Sequence, residues 1–161
     1  MRYHSRTNEI IRQAGRKARH HGHSYVGSAH LLLAMSAQGG ETGQLLRSAG
    51  IRPELAETMM QLLYGWGTPE LPLPQGLSRE ARGILRGAAA EAKRHNAREI
   101  LPIHVLLSLT RQEETTAARL LKLSGVNEVL ECYHENIYAE QDVYYFFDEI
   151  QYAQDWDKWL K

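Results

Sequence analysis

Eight histidines and one cysteine are the residues of this 161-residue chain whose side chains most readily act at neutral pH as base, nucleophile or metal ligand. Four of the histidines, His20, His21, His23 and His30, fall within eleven positions of one another. A metal centre would need them to converge. Yet His20 and His21 are adjacent, so on a helix they point about 100° apart, and no cysteine or carboxylate stands at ligand spacing. Cys132 and His134 are two apart and share no helical face, which argues against a nucleophile and its base. What remains is His30 at the head of an apolar run, in "GHSYVGSAHLLLAM", residues 22–35. An imidazole there can pair with backbone groups that a helix end leaves without partners. The same role is expected of His104, which heads "HVLLSL".

The two histidines are 74 residues apart, and the offset is general. It brings Ile10 onto Ile84, Arg12 onto Arg86, Ala14 onto Ala88, Ala18 onto Ala92 and His21 onto His95. Leu32 and Leu33 fall on Leu106 and Leu107, and after one inserted residue Leu45, Leu46 and Gly50 fall on Leu120, Leu121 and Gly125. Matches at apolar or small positions spaced three and four apart are the pattern of a duplicated helical packing unit. Each copy predicts four helices: 5–21, 29–37, 42–49 and 53–64, then 79–95, 103–111, 116–124 and 127–138. Ser28 and Ser78 are expected as N-caps, Pro53 and Pro102 in first turns, and Gly50 and Gly125 as left-handed stops. No alternating strand pattern is present. The fold class is therefore all-α: two four-helix repeats related by a pseudo-two-fold. The domain spans 1–138, with repeat 1 at 3–64, a proline-rich linker at 65–76, repeat 2 at 77–138, and an acidic aromatic tail at 139–161.

Composition bounds the function. Apolar residues are 43% and charged residues 24% of the chain, an ordinary globular balance. The net charge of zero divides into 17 Lys/Arg against 12 Asp/Glu over residues 1–133, and 2 against 7 over 134–161. No run reaches the roughly 18 apolar residues of a membrane span, and no leader is visible at the N-terminus, so a cytoplasmic protein without membrane contact is expected. Val143, Phe147 and Ile150 give the tail an apolar stripe that could dock on the body or link two copies. The run "RQAGRKARHHGH", residues 12–23, leaves a basic helical nucleic-acid-binding module as the alternative, without aromatic interleaving to support it.

The blocks "GHSYVGSAHLLLAM" with "LLRSAGI", and "ILPIHVLLSL" with "ARLLKLSGV", resemble the double Clp N-terminal repeat, the domain at the front of Clp-type unfoldase ATPases. The resemblance runs over roughly residues 3–138 and implies a platform where substrate proteins and adaptors dock. The implied partners are therefore Clp substrates, adaptors or the Clp ATPase itself. No Walker A sequence occurs, so no cofactor and no catalysis are expected. Relatives commonly carry Glu before the repeat histidine, where some use it to bind phosphorylated arginine. This chain has Ala29 and Ile103 there, which cannot accept a hydrogen bond. Relatives also open each repeat with Phe-Thr, where this chain has Tyr3-His4 and Leu77-Ser78. The resemblance thus places a protein-binding groove at Tyr3, His4, Arg6, Ala29, Leu77, Ser78, Arg79 and Ile103.

Overall fold

A computed structural model describes residues 1–68 and 74–123. Repeat 1 consists of α1 (Ser5–His20), α2 (Ser28–Ala37), α3 (Glu41–Ser48) and α4 (Pro53–Tyr64). Repeat 2 follows with α5 (Arg79–Arg94), α6 (Pro102–Arg111) and α7 (Thr116–Leu123). The helix expected at 127–138, the stop at Gly125 and the tail lie outside the described residues, as does the middle of the linker.

Each helix follows from its sequence. In α1 the apolar positions Ile10, Ala14 and Ala18 recur every four residues and are buried, while the cationic side chains face outward. In α5 the same stripe is Ala81, Ile84, Ala88 and Ala92. Both helices stop the same way. His23 N–H donates to Ala18 O and Ala97 N–H to Ala92 O, both at 2.9 Å, around a left-handed residue at φ +67° (Gly22) and +51° (Asn96). These are Schellman stops, in which asparagine substitutes for glycine at modest cost.

α2 is apolar nearly all round, and every residue from Ser28 to Ser36 is buried. It is the central rod of the fold: α1, α3 and α4 pack around it within its own repeat, and α5, α6 and α7 meet it from the other. α6 is buried from His104 to Leu109 and holds the corresponding place in repeat 2. Its closest partner is α5, because Gly87 removes the side chain that would stand between them. A Cβ on Gly87 would lie 2.2 Å from Ser108 Oγ, whose hydroxyl donates to Ile84 O at 2.7 Å.

Two short parallel pairings are the feature the sequence pattern does not announce. β1 (Arg2–Tyr3) pairs with β2 (Glu99–Ile100), Tyr3 opposite Ile100, and Val26 forms a parallel bridge with Leu77. The 74-residue register maps Tyr3 onto Leu77 and Val26 onto Ile100, so the two pairings are one contact made twice. In each, the entry to one repeat's first helix lies against the entry to the other repeat's second helix. His4 N–H donates to Ile100 O at 3.1 Å, and Ser78 N–H to Val26 O at 2.9 Å. The pseudo-two-fold is thus written into the backbone.

Two helical glycines test this packing with opposite signs. Nothing lies within 4 Å of a Cβ built on Gly15 in α1, so Gly15→Ala is expected to gain up to about 1 kcal/mol of helix propensity. Gly87→Ala gains the same propensity but must force α5 from α6, and overpacking of about 1–3 kcal/mol outweighs it. Urea denaturation of the two variants should move in opposite directions from the parent. A stabilised Gly87→Ala would show that the helices have room to spare.

Candidate functional site

Neither second helix carries a side-chain cap from its N-cap residue, which is Gly27 in one repeat and Leu101 in the other. Ser28, expected to cap α2, is instead its first helical residue. Its hydroxyl crosses to repeat 2, donating to Glu80 Oε2 at 2.8 Å and accepting from Ala117 N–H at 3.3 Å. The capping acceptor comes from the histidine three residues on. Gly27 N–H donates to His30 Nδ1 at 2.9 Å, and Leu101 N–H to His104 Nδ1 at 3.0 Å.

That bond decides the tautomer. With its Nδ1 lone pair occupied, neutral His30 carries its proton on Nε2 and donates to His23 Nδ1 at 2.8 Å. His23 then carries its own proton on Nε2 and donates to Gly65 O at 3.1 Å. A protonated His30 would point an N–H at the Gly27 N–H. Burial, followed by the neighbouring His23 and His21, lowers its pKa from 6.5 to about 4. Burial and the charge of His95, whose ring stacks 5.9 Å away, lower His104 to about 4 as well. Both nitrogens of His30 are occupied by these bonds. Among the described residues no group of three or more His, Cys, Asp or Glu is arranged to hold a metal ion.

Two cavities flank the exchanged strands. The first, about 250 Å³, has His4 and Arg6 of α1's entry on one side and Leu101, Pro102 and Ile103 of α6's entry on another. Gln38 and Gly39 of the turn after α2, and Glu41, Thr42 and Gly43 of the first turn of α3, close it. The second, about 580 Å³, sets Ser78, Arg79 and Glu80 of α5's entry against Gly27 and His30 of α2's entry. Tyr25, Tyr64, His23 and Thr68 complete it, and its surface is mainly apolar. The two cavities correspond at three positions of the 74-residue register, His4 with Ser78, Arg6 with Glu80 and Leu101 with Gly27, and differ beyond these; each takes its walls from both repeats.

The expected groove residues therefore divide. His4, Arg6 and Ile103 line the first cavity, and Ser78 and Arg79 the second. Tyr3 and Leu77 are half-buried in the exchanged strands and pack on the core. Ala29 is 2% exposed and lies in the core. Gly50 stops α3 at φ +85°, with Ile51 N–H returning to Leu46 O at 2.8 Å. Sequence reading missed Glu80 and Tyr64 in the second cavity and the 38–43 segment in the first. The signal for Glu80 was available, since the repeat register sets it opposite Arg6.

Known proteins resemble this chain in sequence and in fold. Residues 2–69 and 76–155 match the family described as the Clp repeat N-terminal domain. The chloroplastic chaperone protein ClpC1 of Oryza sativa subsp. japonica is 28% identical over 127 residues, covering 78% of this chain and 14% of that protein. A ClpA homolog from Porphyra purpurea is 27% identical over 145 residues, covering 86% and 18%. The chain thus spans less than a fifth of the length of these relatives. The N-terminal domain of ClpD from Arabidopsis thaliana superposes with a TM-score of 0.66 at 22% identity, covering 78% of this chain and 90% of that structure. The Hsp104 N-terminal domain from Candida albicans gives 0.64 at 18%, covering 79% and 85%. At these identities the structures establish the fold.

The capping histidines have a measurable consequence. Between pH 6.5 and about 4 the unfolded chain binds up to two more protons than the native state at His30 and His104. Their contribution is therefore complete above pH 6.5 and is lost as pH falls through that window. Melting temperature should decline accordingly. His30→Asn, which keeps an acceptor for Gly27 N–H, should remove about half of the part of the decline due to this pair. Parallel melting curves for parent and variant from pH 7.5 to 4.5 would show that His30 is not the titrating group.

Proposed function

This chain belongs to the Clp N-terminal repeat domain family, and from that membership we propose that it is a non-catalytic docking module for other proteins. Its ligands are substrates or adaptors of a Clp ATPase, or the ATPase itself, and it works in or regulates Clp-dependent unfolding and degradation. The observation that carries the reading is the pair of cavities built between the repeats, one beside each of the two parallel pairings. A rigid scaffold with two such recesses suits binding of exposed polypeptide segments. Two of the four cations in the basic run of α1 are engaged within the fold, Arg12 with Glu9 and Lys17 with Glu57, which lessens the weight of that run for nucleic acid.

Recognition of phosphorylated arginine is not part of this proposal. Ala29 is buried and Ile103 presents only hydrocarbon to the first cavity, so neither supplies a carboxylate to a guanidinium. Two measurements test the reading. Fluorescence anisotropy of labelled, permanently unfolded casein should rise saturably as the chain is added, and no rise at millimolar chain would end the docking proposal. Calorimetric titration with free phosphoarginine should give no measurable heat of binding. A stoichiometric isotherm would mean that another residue set binds the modified side chain.

A further inference from the structure

Where the two cavities correspond, the register sets opposite charges against each other at one position. Position for position, Arg6 of the first corresponds to Glu80 of the second. Arg6 is exposed and has no carboxylate within ion-pair distance among the described residues. Glu80 is half-buried and equally without a cationic partner among them. The neighbouring Arg79 is exposed and forms no ion pair with it.

Glu80 is also held in place. Ser28 donates to its Oε2 at 2.8 Å while itself fixed by Ala117 N–H, so the carboxylate is anchored jointly by α2 and α7. Its other oxygen, Oε1, has no hydrogen-bond partner among the described residues. Tyr25 and Tyr64, 49% and 45% exposed, line the same recess. Burial raises the Tyr64 hydroxyl pKa, and the nearby Glu80 charge adds to the rise, which is consistent with a carboxylate facing the ring's hydroxyl. His23 and His30 also line this recess, hydrogen-bonded to each other at 2.8 Å. At about 580 Å³ it falls within the roughly 300–1,000 Å³ of clefts that receive side chains and small ligands.

We propose that the second cavity binds a cationic side chain, the guanidinium or ammonium of an unmodified Arg or Lys on a partner polypeptide. Glu80 is the counter-ion and Tyr25 and Tyr64 are the aromatic walls. The proposal rests on the docking reading and adds what one of its two recesses selects. A preset carboxylate beside aromatic faces favours a cation and repels phosphate. The first cavity has Arg6 in the corresponding place and its carboxylate, Glu41, in α3, with no tyrosine in its lining.

The test uses three acetylated, amidated pentapeptides of the form Gly-Ala-X-Ala-Gly, with X as Arg, Glu or norleucine, titrated into the isotopically labelled chain and followed by NMR. The Arg peptide should shift amides at residues 22–27, 64–68 and 78–80, and weaken as salt is raised. The Glu peptide should leave these amides unmoved. Glu80→Gln, whose amide oxygen can still accept from Ser28, should reduce affinity for the Arg peptide about tenfold or more. Its melting temperature should stay within a few degrees of the parent. Equal binding of the norleucine peptide, or unchanged affinity in Glu80→Gln, would overturn the cation site. So would silence from all three peptides while unfolded casein still bound, leaving the docking reading intact. Silence from peptides and casein alike would remove both.

Discussion

One pair of backbone hydrogen bonds, exchanged between the repeats, fixes everything that could serve recognition. His4 N–H to Ile100 O and Ser78 N–H to Val26 O tie the entry of each first helix to the entry of the other repeat's second helix. Thr7 reinforces the first tie, its hydroxyl donating to the same Ile100 oxygen at 2.7 Å. Because the cavities open beside these ties, each has one wall from each repeat. A single repeat would lack half of both recesses and would leave two extended segments with unpaired backbone groups, which is costly in a buried setting. Duplication is therefore a condition for having either recess, in addition to enlarging the core.

The histidine at the start of each second helix belongs to the same constraint. Residues 26 and 100 must stay extended to pair across the interface, and the helix must begin two residues later. Gly27 and Leu101, the residues between, have no side-chain acceptor for an N-cap. A longer side chain reaching back from the third helical position supplies one, and imidazole does so as a neutral ring with a proton left on its far nitrogen. In repeat 1 that proton goes on to His23 and so to Gly65, tying the end of α4 to the start of α2. Gly67 adds to this corner, donating to His21 O at 2.8 Å, and Trp66 stacks on the His21 ring at 5.0 Å. In repeat 2 the position of His23 is Ala97, so the wire is confined to one half of the molecule.

Much of this is legible in the amino-acid sequence alone. The 74-residue offset and its buried spacing located the helices, and Pro53, Pro102, Ser78 and Gly50 all sit where their backbone preferences put them. The exchanged strands were not legible, since two residues are too few to show alternation. Ser28 misled because a hydroxyl beside a helix start has a local use and a distant one, and only the fold reveals Glu80 and Ala117 within reach. Ala29 misled for a related reason: equivalence to Ile103 in sequence does not equalise their surroundings, and one faces the core while the other borders a cavity. The helix at 127–138 and the acidic aromatic tail lie beyond the described residues.

The asymmetry between the halves follows from where the fold takes its stability. The conserved register concerns backbone ties and small or apolar core positions, and both are indifferent to charge at a helix surface. Lys17 and Glu91 occupy the same place in α1 and α5, yet one pairs with Glu57 and the other is buried with Arg94 and Arg111. Arg6 and Glu80 invert in the same way beside the two recesses. A scaffold built from reciprocal main-chain bonds allows the side chains around each cavity to diverge without loosening the walls. Two recesses that share an edge of the register but differ in volume, in lining and in the charge at residues 6 and 80 are the natural product of that freedom.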